Sequence, residues 1–307
     1  MEIRLPAFAA LALASCAPSA TGPTTTALGR VATTDELVRL RCALDGRQVV
    51  TTWTGDVHAV IPGERPHRLF GLVGMNIARC VRGAEGFTLT SRELLFYLDP
   101  RTGERLDQWT NPWEPETSVP VVHVANRLVQ NPLLGPAPMT IADGVATVSF
   151  DVPVFYPNPL AADAETRPFS PEPSYQAMEM FTFWTPAREL GDPRAATVAS
   201  LSFTWHRTGP WLPWMAMKDR AGYLVYSARG RKLAGLDELP PLLRDEISTR
   251  LPLYADAPRC RVHAPNETSW TYFRRHVDAY RARARFPLPA PREPDECAAT
   301  GPAASPR

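Results

Sequence analysis

Proline sets the terms for this chain. It occurs 33 times in 307 residues, about twice the usual share of roughly 5%. Each proline removes a backbone donor and interrupts a helix interior or a central strand. A helical bundle, a coiled coil and a regular βαβ enzyme are therefore poor fits. The prolines are also placed unevenly: many fall before Thr33, in Pro157–Pro173, at turns, and from Pro287 onward. Stretches such as Val145–Val152 and Ala196–His206 are free of them.

Those free stretches read as strands. Leu37–Leu44 is followed by Asp45-Gly46, and Gln48–Ile61 by Pro62-Gly63; Asp-Gly between such runs is a strong hairpin signal. Arg68–Val81, Phe87–Leu98, Arg105–Thr110 and Ser118–Ala125 continue an antiparallel meander. A second group comprises Met139–Ile141, Val145–Phe155, Tyr175–Trp184, Ala196–His206 and Gly222–Ala228, with Pro157–Pro173 as a long loop. In Ala196–His206, alternation puts Leu201, Phe203 and Trp205 on one face and Ser202, Thr204 and His206 on the other. Helices are expected only at Pro240–Arg250 and at Ser269–Ala284, where Trp270, Phe273, Val277 and Tyr280 recur at helical spacing and Ser269 is placed to cap. The expected fold is mainly β: an antiparallel barrel-like (calycin- or lipocalin-like) body or a sandwich, with one or two C-terminal helices.

The N-terminus reads as an address. Arg4 precedes an apolar run from Leu5 to Ala14, which ends in Leu13-Ala14-Ser15-Cys16. That ending resembles the lipobox of bacterial lipoproteins, and the resemblance implies lipidation at Cys16. An ordinary secretory signal, with Cys16 incidental, is the alternative. The expected organisation is a signal peptide at 1–15, a flexible tether at 16–33, a β domain at 34–286 and a disordered tail at 287–307. The expected location is the cell envelope or periplasm, with membrane attachment through the lipid alone. Four cysteines remain, and export permits disulfides: Cys42 and Cys80 lie on neighbouring expected strands, and Cys297 is able to reach Cys260. Free buried thiols are the alternative.

Net charge is +1, which argues against a nucleic-acid partner. Only Lys218 and Lys232 are lysines, which restricts any Schiff-base chemistry. No GxSxG, Walker, HExxH or GxGxxG pattern is present, so no cofactor and no metal site is indicated. Candidate site residues come instead from clusters by residue type: Asn76 and Arg79 in an apolar strand, Arg92 and Glu93 opening the strand that carries Tyr97, Asn111 with Trp113, His123 with Asn126, and Trp211, Trp214 and Met215. Glu93 and Tyr97 should share a strand face, with Arg92 on the other. His206, then His123, are the general-base candidates, with Glu93 and Tyr97 as catalytic partners. The bland alternatives are an ion pair fixing strand register for Arg79, Arg92 and Glu93, and a plug closing one barrel end for the Trp/Met run. Asn266 opens an Asn-Glu-Thr sequon, which means little beside a bacterial lipobox.

Several of these stretches together resemble a bacterial family known as domain of unknown function 1838. They are Trp53-Thr54-Gly55, Pro62-Gly63-Glu64, Gly74-Met75-Asn76, Ser91-Arg92-Glu93, Tyr97-Leu98-Asp99-Pro100, Trp109-Thr110-Asn111-Pro112, His123-Val124-Ala125-Asn126, Trp211-Leu212-Pro213-Trp214-Met215 and Asn266-Glu267-Thr268-Ser269-Trp270. The resemblance covers roughly Leu37–Ala284 and implies no established activity. Three functions are therefore weighed from the residues: binding of a small hydrophobic or aromatic molecule in the barrel, a cofactor-independent hydratase, isomerase or cyclase, and an envelope scaffold without a small-molecule site.

Overall fold

The computed structural model describes residues 28–133, 137–292 and 297. The expected signal peptide, Cys16, the tether through residue 27 and most of the tail lie outside the described residues.

Among the described residues, twelve strands form in chain order: β1 (Leu28–Ala32), β2 (Val49–Val60), β3 (His67–Gly83), β4 (Gly86–Leu98), β5 (Gln108–Thr110), β6 (Ser118–Pro120), β7 (Val124–Pro132), β8 (Ala137–Ala142), β9 (Val145–Pro157), β10 (Ser174–Pro186), β11 (Ser202–Gly209) and β12 (Tyr223–Leu233). Ten of them make one antiparallel sheet in the order β1-β8-β9-β10-β11-β12-β2-β3-β4-β7, while β5 and β6 form a separate ribbon. Each half is a meander, but Arg105–Thr110 and Ser118–Ala125, expected to continue the first one, lie largely in the β5–β6 ribbon, and β7 takes the place beside β4. The halves meet where β12 pairs with β2. The sheet curls into a half-barrel; β1 and β7 are its two edges and do not pair with each other. Between the barrel-like and sandwich alternatives, the structure takes the barrel-like one, left open on one side.

Proline and glycine act as punctuation here. Pro120, Pro132, Pro157 and Pro186 end strands. Pro153 is interior to β9, but β8 pairs only with Val145–Val148. The missing donor therefore falls on a stretch with no described neighbour on that side. Asp143-Gly144 turns tightly from β8 to β9, with both residues at positive φ, as a type I′ hairpin requires.

Among the described residues, five short helices complete the fold: α1 (Thr34–Arg41), α2 (Ala187–Leu190), α3 (Pro241–Thr249), α4 (Ser269–Arg275) and α5 (Val277–Arg281). Leu37–Leu44, expected as a strand, is mostly α1. Thr33 caps α1 in a reciprocal box with Glu36, and this local capping decides the conformation of a short apolar run that alternation alone leaves ambiguous. Leu28–Ala32, expected in the tether, pairs with β8. The single expected helix over Ser269–Ala284 is two, broken at His276, and its cap is Thr268 rather than Ser269. The start of the expected tail docks: Leu288 N–H donates to Tyr272 Oη at 3.0 Å, and Arg250 donates to Pro287 O at 2.8 Å.

The two faces of the sheet are covered differently. On the convex side, α3 and the turn at Pro252–Ala255 pack on β3 and β4, adding Leu243, Ile247 and Leu253 to the main core. On the concave side, α1 lies across one end. Its Leu37 and Leu40 pack with Met139, Val148, Phe183 and Phe203, and its Val38, with Cys42, packs with Val49, Cys80 and Phe87. The Cys42–Cys80 disulfide, with Cα atoms 5.6 Å apart, ties that end of α1 to β3. Cys260 and Cys297 form the second disulfide. At the other end, the turn after β11 brings Trp214 against Phe70, Tyr97 and Trp109 at 5.8–6.1 Å between ring centroids. Tyr280 Oη fixes this plug by donating to Trp214 O at 2.9 Å.

Candidate functional site

Strand register assembles a polar row across the concave face, between the α1 end and the Trp214 plug. Asn76 of β3 lies opposite Glu93 of β4, which lies opposite Asn126 of β7. Both amides point their nitrogens at the carboxylate: Asn76 Nδ2 donates to Oε1 and Asn126 Nδ2 to Oε2, each at 3.1 Å. Glu93 has no cation within ion-pair distance among the described residues. Burial raises its pKa above the usual carboxylate value; the Asn126 amide opposes this, and the charge of Glu179 adds to it.

A second row crosses the other meander. Glu179 of β10, Arg207 of β11 and Tyr226 of β12 are successive cross-strand neighbours. Arg207 pairs with Glu179 at 3.4 Å, donates to Tyr175 Oη and sits 5.0 Å from the Tyr226 ring centroid. Burial opposes its charge, but Tyr175, Tyr226 and Glu179 outweigh that and hold its pKa above that of free arginine. Tyr226 Oη in turn meets Tyr97 Oη at 3.3 Å. Burial keeps both phenols protonated well past neutral pH.

Aromatic side chains stand around these rows. Trp53 lies over Gly74, where a Cβ would come within 2.4 Å of its ring, and contacts Phe203 and Trp205 at 6.4 and 6.3 Å. Phe150, Phe181 and Phe183 stack beside them at 5.5–5.9 Å. Arg41, the last residue of α1, reaches over Phe183 and Phe181. Glu93, Asn76, Thr51, Trp53, Phe150, Phe181, Trp205 and Arg41 are only half-buried, although they face the inside of the curl. The middle of the half-barrel is thus lined but not filled.

The expected site residues divide between this interior and other places. Glu93, Asn76, Asn126 and Tyr97 share the concave face, and Arg92 lies opposite, as alternation required. Tyr97 is four residues along β4 from Glu93, about 13 Å at strand rise, so the two do not share a proton. Neither the charged lumen nor the register-fixing ion pair forms from Arg79, Arg92 and Glu93. Arg79 and Arg92 face the convex side and donate to the carbonyls of Gly46 and Asp256.

His123 is a packing residue in the core, 1% exposed. Its Nδ1 accepts from Tyr97 N–H at 3.1 Å, and burial, with Arg105 nearby, drives its pKa well below the ordinary histidine value. His206 faces away from Trp205 and Arg207, opposite Met180 and Ser227, so it does not join Glu93. Asn111 holds a turn by accepting from Trp113 N–H at 3.0 Å. Trp113 and Trp211 pack together at 6.1 Å away from the Glu93 row, with Trp113 Nε1 donating to Glu64. Trp214 and Met215 form the plug. Among the described residues, no three His, Cys, Asp or Glu side chains gather where they would hold a metal ion.

Arg41, Glu179, Arg207, Tyr226 and Tyr175 were not among the expected site residues. Arg207 was within reach, because it continues the Leu201–Phe203–Trp205 alternation by one more step. Glu179 likewise shares a face with Phe181 and Phe183.

Fold and interior together define an open antiparallel β half-barrel with an aromatic-walled, partly charged concave face. Over residues 46–277 the chain matches the family described as Protein of unknown function (DUF1838). It belongs to that family, and the matched span carries both polar rows while β1 and α1 precede it. No curated protein matches the chain.

Proposed function

We propose that this protein binds a small, largely aromatic molecule in the concave interior of the half-barrel. The carrying observation is the half-burial of Glu93, Asn76, Trp53, Phe181 and Trp205 inside a curl closed at both ends. Ligand sites commonly pair apolar walls with a few convergent polar groups, and a solidly packed interior would bury these side chains fully. The test is a titration with the neutral fluorophore N-phenyl-1-naphthylamine, against wild type and Thr51→Trp. Thr51 is a half-buried concave residue opposite Asn76, and a tryptophan there fills the interior. Saturable binding by wild type, lost in a Thr51→Trp protein that still melts cooperatively, supports the reading. Binding that never saturates, or that Thr51→Trp leaves unchanged, overturns it.

A second reading, cofactor-independent proton transfer, draws on Glu93, whose raised pKa suits a general acid or base. Its only hydrogen-bond partners among the described residues are two amides, so the substrate itself would have to be the other member of the pair.

The same proposal places the protein outside the cytoplasm, anchored to a membrane through Cys16. The Leu13-Ala14-Ser15-Cys16 ending supports this, and the two disulfides suit an oxidising compartment. Mass spectrometry of membrane-extracted protein checks it: a mature N-terminus anywhere but a lipidated Cys16 refutes the anchor.

A further inference from the structure

The helix α1 ends over the interior with a guanidinium that no acceptor among the described residues satisfies. Arg41 Cζ lies 5.1 Å from the Phe183 ring centroid and 5.8 Å from that of Phe181. It makes no hydrogen bond or ion pair with any described residue, although Glu93 and Glu179 are its electrostatic neighbours. Both of those carboxylates are engaged elsewhere, Glu179 with Arg207 and Glu93 with two amides. Lys232 is a further basic group near Arg41, its Nζ held by Arg39 O at 3.1 Å and Thr197 Oγ1 at 2.8 Å. Trp53 Nε1, also on the concave face, is buried without a partner among the described residues.

A half-buried guanidinium with free donors, resting on aromatic faces, fits a planar anion bidentately. We infer that the interior takes an aromatic carboxylate, its carboxylate held by Arg41 and its ring lying among Trp53, Phe181, Phe183 and Trp205. This rests on the binding reading above and names its ligand class. Two carboxylate side chains close to Arg41 select against more highly charged anions such as phosphate monoesters, because like charges at short range in a partly dry site repel strongly. Burial biases Glu93 toward its neutral form, which leaves Arg41 as the uncompensated charge and removes part of the repulsion toward a monoanion.

The experiment is calorimetric titration of the full chain with three probes of one shape: 2-naphthoate, 2-naphthylmethanol and 2-naphthylmethylamine. A charge-assisted pair formed in the site predicts that naphthoate binds at least about tenfold more tightly than the alcohol, with the amine weakest. Arg41→Met should remove the preference for the acid over the alcohol, while Arg41→Lys should keep part of that preference. Equal binding of acid and alcohol, or a preference that survives Arg41→Met, overturns the inference while the binding cavity stands. Failure of all three probes to bind removes the cavity and the inference together.

Discussion

Removing the Cys42–Cys80 bridge tests how the α1 end of the half-barrel is held. The bridge spans a sequence separation of 38. For a loop of that length, chain entropy gives roughly 13 cal/mol/K, or about 3.9 kcal/mol at 25 °C. Against a typical total of about 5–15 kcal/mol, that is a large share. The perturbation is Cys42→Ala with Cys80→Ala; both sites are buried, at 0% and 3% exposed, so alanine leaves no polar group unpaired. Chemical reduction is the poorer perturbation, because it opens Cys260–Cys297 as well. The assay is urea unfolding followed by tryptophan fluorescence. With a slope of about 3 kcal/mol/M for a chain of this size, the midpoint should fall by about 1.3 M, and the slope should rise as the unlinked chain exposes more surface on unfolding. Because Arg41 adjoins Cys42, preference for 2-naphthoate should fall in the same variant under native conditions. A midpoint shift below about 0.3 M would refute the claim that the bridge constrains this end, and α1 would then be held by its apolar contacts alone.

Three further outcomes follow from the same geometry. The folded state binds the Glu93 proton more tightly than the unfolded chain does, so its contribution to stability is full below the ordinary carboxylate pKa and is lost as pH rises through the raised value. Glu93→Gln should flatten the fall in melting temperature over that window, and identical pH profiles for the two proteins would contradict it. For Lys232, whose pKa burial and then Arg41 depress to about 7, the sign is opposite: the folded state sheds its proton first. Wild type should therefore gain about 2.5 kcal/mol relative to Lys232→Met between pH 7 and 9, measured by urea midpoints. Gly230→Ala would put a Cβ 2.4 Å from Phe203 Cζ and from Thr52 O and should cost about 1–3 kcal/mol. Gly29→Ala, in open space, should stay within about 0.5 kcal/mol; equal melting temperatures for these two variants would contradict the close approach at Gly230.

Most of the sheet was legible in the sequence because strand alternation and turn dipeptides are local signals. Pro62-Gly63 marked the turn from β2 to β3, and the same-face placement of Glu93 and Tyr97 followed from a period of two. The segment before Cys42 was not legible by alternation, since Leu37, Val38 and Leu40 fit either a strand or a helix. Thr33 and Glu36, three residues apart, were the capping sign. Losing that helix also lost Arg41, whose role depends on where α1 ends. His206 stood out by residue type, yet its own alternation put it opposite Trp205, on the face away from the interior. The Asn76–Glu93–Asn126 row could not be assembled from sequence, because it needs the register of three strands joined by distant turns. Asn126 in particular sits in β7, beyond the β5–β6 ribbon, and no local pattern reports which strand it joins.

The seam between the two meanders also governs when the fold can be completed. Val60 pairs with Tyr223, and Val50 with Leu233, so β2 finds its partner only after nearly all of the sheet has been synthesised. Such long-range pairing folds slowly and leaves strand edges exposed to aggregation in the meantime. A nascent chain stopped before Tyr223 has β2, β3 and β4 made but one flank of β2 bare, and it lacks the strand that carries Tyr226. For this protein, late truncation is therefore a defect of the whole sheet rather than the loss of a terminal piece.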